Sequence, residues 1–78
     1  MDSKLKEILS NIFEVDISKI NENFSRDRTD KWDSLNYIKL IITLEEEFNI
    51  VIDEEEMTTI KSYLDIKKVL QMKGIVFE

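Results

Sequence analysis

The chain has no cysteine, no histidine and no proline, and only one glycine, Gly74. Without cysteine, disulfides and thiolate metal sites are excluded. Without histidine, the commonest general base, the commonest metal ligand and the usual pH switch are gone. The near-absence of glycine and proline argues against a chain built on tight hairpin turns. Long apolar runs are missing too. The longest have three residues, such as Leu40-Ile41-Ile42, whereas a membrane-spanning helix needs about 20. Positive charge is in the minority, with 11 Lys and Arg against 17 Asp and Glu and a net charge of -6. This balance argues against nucleic acid as a partner, since phosphate-backbone binding needs concentrated Lys and Arg.

What remains is a chain of 78 residues, 42% of them apolar. That is enough for one packed core, so residues 1–78 are expected to form a single small domain. No internal repeat or linker-like segment interrupts it. The segment from Met1 to Phe13 is amphipathic and charged throughout, with no signal-peptide apolar block. The cytoplasm is the expected location and a monomer the expected state.

Leu5, Ile8, Leu9, Ile12 and Phe13 fall at helical spacing, with Ser3 placed to cap them, which predicts a first helix over 3–14. Residues 15–33 lose that period. They are rich in Asp, Asn and Ser, which bond their own backbone and favour turns. Val15, Ile17, Ile20 and Phe24 are expected to pin this long loop to the core. A second helix is expected from Ser34 to about Phe48, with Ser34 as its N-cap, and a short third one from Glu54 to about Thr59. Ser62 and Asp65 match a capping box, and Gly74 suits the position after a helix end, which predicts a fourth helix over 63–73. Ile75-Val76-Phe77 is expected to add a little packing or to fray. No segment alternates as a strand does. The expected fold class is all-α, a small four-helix bundle with a long loop between helices 1 and 2 and a short third helix.

The second helix carries more apolar residues than a core needs. Tyr37, Leu40, Ile41, Leu44 and Phe48 fill one arc about 100° wide. Leu35, Ile38 and Ile42 form another stripe, turned about 130° from the first and interleaved with Lys39, Glu45 and Glu46. Such a helix is either buried on two sides or exposes an apolar stripe rimmed by charge, the composition of a docking surface.

Catalytic constellations are hard to find. Nucleophilic triads need a base beside the nucleophile, and only Lys and carboxylates are present. The acidic runs Glu45-Glu46-Glu47 and Asp53-Glu54-Glu55-Glu56 lack the glycine-containing pattern of a calcium loop and read as a solvated face. There is no glycine-rich phosphate loop. No catalytic and no metal-ligating residues are assigned, and a self-contained enzyme is not expected. Ser34 stands apart. A phosphodiester on its oxygen would sit where the N–H donors and the dipole of a helix start favour negative charge.

From Trp32 to Ile50 the sequence, with Asp33-Ser34-Leu35 at its head and Leu44-Glu45-Glu46-Glu47-Phe48 ten residues after Ser34, resembles the Asp-Ser-Leu motif and following helix of the acyl carrier proteins. The likeness extends upstream through Val15-Asp16-Ile17, Ile20 and Phe24. Downstream it includes Ile52, the acidic run, Ile60 and the last helix, so it covers nearly the whole chain.

The resemblance implies a carrier rather than an enzyme. Ser34 would receive 4'-phosphopantetheine from coenzyme A through a phosphopantetheinyl transferase. Asp33 would support recognition by that transferase. The arm's thiol would hold an acyl or aminoacyl group as a thioester, which suits a chain without cysteine of its own. Leu35, Ile38, Ile42, Glu45 and Glu46 would meet acyl-transfer and synthase enzymes bearing basic docking patches. Asn36 and Lys39 stand where carriers of fatty-acid synthesis usually have acidic residues, Trp32 where they often have a small one, and Arg26 and Arg28 add positive charge to the loop. Together these departures tilt the expectation from general fatty-acid synthesis towards a dedicated polyketide, peptide or lipid-modification pathway. The alternative is a helical protein–protein adaptor of the same fold with no prosthetic group.

Overall fold

Among the described residues four α-helices form, in chain order: α1 (Asp2–Phe13), α2 (Ser34–Phe48), α3 (Glu54–Thr59) and α4 (Tyr63–Met72). The computed structural model describes residues 2–76. Among the described residues there is no strand, only one isolated bridge between Ser25 and Ser62. The fold is an all-α bundle. Its Cα radius of gyration, 11.3 Å, is close to the roughly 11.5 Å of a globular chain this long.

Spacing explains which residues meet. Leu5, Leu9 and Phe13 repeat every four residues along α1 and are all fully buried. They pack with Leu40 and Leu44 of α2 and with Ile66 and Leu70 of α4. α1 starts one residue earlier than its pattern predicts, so Ser3 lies inside the first turn and does not cap it. Its end is marked by Glu14 at φ 54°, a left-handed conformation uncommon outside glycine, with the Val15 N–H reaching back to the Ser10 carbonyl at 3.2 Å.

The long loop is more ordered than its polarity suggests. Asp16 caps a 3-10 turn over Ile17–Lys19, and a second turn covers Arg26–Arg28. Ile20 and Phe24 are buried and Val15 packs against the core. Ile17 does not pin the loop, for it is 43% exposed. It opens the turn beside the exposed Asp16 cap, whereas Ile20 leaves the turn in extended backbone and goes inward.

α3 is the least anchored helix. None of its own residues is buried. It is held by Ile52 and Ile60 on either side and by ties to its neighbours. At its start, the expected solvated acidic run divides in two. Asp53 accepts from the Glu56 N–H at 2.9 Å while Glu56 accepts from the Asp53 N–H at 3.1 Å, a full capping box. Glu54 and Glu55 stay in solvent.

The box expected at α4 is only half formed. Ser62 accepts from the Asp65 N–H, but the Asp65 carboxylate takes the N–H of Lys61, one residue further back. α4 ends as glycine allows. Gly74 sits at φ 94°, and the N–H groups of Gly74 and Ile75 close on the carbonyls of Gln71 and Leu70, both at 3.0 Å. Ile75 packs on the core and Val76 is exposed, while Phe77 lies outside the described residues.

Candidate functional site at the start of helix α2

The chain arrives at α2 through an aromatic stack. The Trp32 ring lies on Phe13 of α1, with centroids 4.6 Å apart and planes 12° from parallel, and tilts against Phe24 at 6.0 Å. Such contacts fix direction as well as adding burial. The next residue, Asp33, leaves in extended backbone, and its carboxylate accepts from the Asn36 N–H at 2.9 Å. Asp33 is therefore the N-cap, and the assignment of that role to Ser34 is corrected. A carboxylate reaches the third N–H of the helix and carries the charge that the helix start favours, so it holds the cap.

Ser34 is the first helical residue, exposed, with its hydroxyl outside the cap. The Asn36 side chain donates to the Lys31 carbonyl at 2.7 Å and stitches the loop to the helix. Only an amide or another donor can do this, so a carboxylate at position 36 would lose the bond. Trp32 and Asn36, two departures from the usual carrier pattern, thus both have structural work. Sequence spacing did not reveal the Trp32 stack because Phe13, Phe24 and Trp32 lie far apart along the chain.

Ser34 opens onto a groove of about 250 Å³ between the loop, α2 and α3. Trp32, Met57 and Ile60 supply apolar wall, and Arg26 and Lys61 supply positive charge. The Tyr37 hydroxyl donates to the Met57 carbonyl across it, and burial pushes the Tyr37 phenol above its ordinary pKa. Arg28 does not join Arg26. It lines a separate hollow with Ser18, Lys19 and Asn23.

Beyond Ser34, α2 divides as two arcs. Leu40, Ile41, Leu44 and Phe48 are buried and Tyr37 is half-buried. Leu35, Ile38 and Ile42 are 64%, 56% and 50% exposed, with Lys39 and Glu46 exposed beside them. Glu45 is different. It is half-buried, and its carboxylate accepts from the Ile52 N–H at 2.9 Å, holding the segment that leads to α3. Among the described residues, no group of acidic side chains is arranged to hold a metal ion, and no helix is long and apolar enough to cross a membrane.

The exposed Ser34 thus stands at a helix start beside an exposed apolar stripe, on a small bundle of four helices among the described residues. No family model matches the chain. It is 35% identical over 68 residues to the acyl carrier protein of Buchnera aphidicola subspecies Schizaphis graminum, covering 83% of this chain and 86% of that one. It is 35% identical over 66 residues to the acyl carrier protein of Chlamydia caviae, covering 85% and 86%. To that of Bdellovibrio bacteriovorus it is 31% identical over 71 residues, 91% of each chain. The chain belongs to the acyl carrier protein family. Its role is that of a carrier, not an enzyme.

Proposed function

We propose that this chain carries acyl or aminoacyl groups as thioesters on an arm joined to Ser34, and delivers them to partner enzymes. The family's prosthetic group is 4'-phosphopantetheine, and the residues around Ser34 suit it. The observation that carries the reading is that Asp33 caps α2, which leaves the exposed Ser34 hydroxyl outside the cap. When bound, the group supplies the thiol that a chain without cysteine lacks.

The chain's own residues do the positioning. Ser34 holds the attachment point on the first turn of a helix whose other end is packed into the core. The helix N–H groups and dipole favour the negative charge of a phosphodiester there. Trp32 and Asn36 keep that turn in place against α1 and the loop. Asp33 supports recognition by the phosphopantetheinyl transferase, in addition to its cap. Leu35, Ile38 and Ile42, with Glu46 at their edge, form the face that partners meet. Glu45 contributes field to that rim while its carboxylate is held by Ile52. Tethering turns a diffusing substrate into one held at high effective concentration.

In this reading residues 1–78 work as one carrier domain, a monomer in the cytoplasm. Its partners are the transferase and acyl-transfer or synthase enzymes with basic docking patches. The pathway is a dedicated one for a polyketide, peptide or modified lipid. Since Trp32 and Asn36 act within the fold, the support for this comes from Lys39, exposed beside Ile38, and from Arg26. Lys39→Glu should improve use of the chain by general fatty-acid synthase enzymes if Lys39 sets that preference.

Incubation with coenzyme A and a broad-specificity transferase tests the carrier itself. A mass gain of one phosphopantetheinyl unit is expected. No gain with several transferases would favour the adaptor alternative.

A further inference from the structure

Arg26 and Lys61 are brought together by backbone, not by chance side-chain placement. The Arg26 N–H donates to the Lys61 carbonyl at 3.0 Å and the Tyr63 N–H to the Phe24 carbonyl at 2.9 Å, which makes the Ser25–Ser62 bridge. That bridge joins the long loop to the α3–α4 connection and sets two cations side by side on one groove. In a chain with net charge -6, neither cationic side chain is in an ion pair among the described residues, although the Lys61 N–H itself donates to the Asp65 carboxylate. The opposite part of the same groove is formed by Ser34 and by Asp33, whose carboxylate is turned to the Asn36 N–H. The lining of the groove holds two cations, Arg26 and Lys61, against one anion, Asp33, in a chain that is acidic as a whole, and its hydroxyl is the one assigned to the arm.

We infer that Arg26 and Lys61 form a clamp for the phosphodiester attached to Ser34. The inference rests on Ser34 being the attachment site. The clamp holds the attached phosphate towards the loop and the α3–α4 connection, the two segments that the Ser25–Ser62 bridge joins. An arginine suits the phosphate oxygens through its fork of donors, and a lysine acts as a point charge. Both side chains are exposed, so the attraction is modest and screened by salt.

The test compares apo and loaded protein for wild type, the double variant Arg26→Gln/Lys61→Gln, and Lys39→Gln as a control cation outside the groove. Intact mass first establishes loading of each. The melting temperature of each form is then measured at low and high salt. Wild type should gain about 2–5 °C on loading at low salt, and lose most of that gain in 1 M salt. The double variant should show little or no gain at either salt, while Lys39→Gln keeps the wild-type gain. Attenuated mobility of a fluorophore on the arm's thiol should likewise be seen in wild type and lost in the double variant.

If wild type and the double variant gain equally on loading, the clamp is wrong although the carrier stands. If Lys39→Gln loses the gain as well, the effect belongs to the overall field and the clamp is again wrong. If wild type does not load at all, the failure lies with the attachment site and takes the clamp with it.

Discussion

Asp33 and Ser34 are neighbours with separable duties. The Asp33 carboxylate caps α2, so Asp33→Ala should cost about 0.5–2 kcal/mol of stability, read from denaturant midpoints. Asp33→Asn keeps a capping oxygen and should melt close to wild type. It should nonetheless slow transferase loading markedly, because the charge is gone. Unchanged loading would reduce Asp33 to a cap. Ser34→Ala leaves the cap in place and removes an exposed hydroxyl, so its cost should stay within about 0.5 kcal/mol. A loss above 1 kcal/mol would show that Ser34 does capping work after all. Asp33 and Ser34 were both readable from Asp33-Ser34-Leu35, but which of them caps was not. Ser and Asp are equally good N-caps, and the choice depends on where the Trp32 stack lets the helix begin.

At the scale of the helix, α2 serves two surfaces. Leu44 is fully buried and Ile38 is 56% exposed. Leu44→Ala should cost about 2–5 kcal/mol, and Ile38→Ala far less while cutting partner turnover. Equal losses of stability would mean that Ile38 belongs to the core. α3 depends on fewer contacts, and one of them is charged. Lys73 lies 2.7 Å from Glu56 and, with the Asp53 N–H, holds the Glu56 carboxyl below its ordinary pKa. A lowered folded pKa means stabilisation that is present above the unfolded value of about 4.3 and lost as pH falls through the folded one. Glu56→Gln keeps an acceptor for Asp53 but not the charge. Its melting temperature should fall below wild type at pH 7, and the gap should close towards pH 3. A gap that persists at pH 3 would assign the effect to packing. The four helices were legible from apolar spacing and from end signals such as Gly74, although Ser3 and Ser34 are not the caps expected. The Glu56–Lys73 pair was not, since it joins two helices and charge runs alone say nothing of partners. Ile17 misled for another reason, because in a loop hydrophobicity does not fix direction.

Taken as one body, the molecule is an acidic particle with a small groove lined by two cations at the foot of α2. Exposed charge steers encounter and the apolar face sets residence, so partner association should slow as salt rises while dissociation changes little. Stopped-flow traces at rising ionic strength check this, and a salt-independent on-rate would contradict it. The candidate site was partly legible. The exposed stripe of Leu35, Ile38 and Ile42 follows from one helical wheel, and Ser34 is proposed from one motif. Arg26 and Lys61 follow from neither, because the bridge that pairs them joins residues far apart in the chain. The central claim is that Ser34 alone bears the arm. The most direct measurement is peptide-resolved mass spectrometry of wild type and Ser34→Ala after treatment with coenzyme A and transferase, with both shown to be folded by circular dichroism. Wild type should carry one phosphopantetheinyl unit, on the peptide containing Ser34, and the variant none. A unit on any other peptide, or on a folded Ser34→Ala chain, would contradict the account.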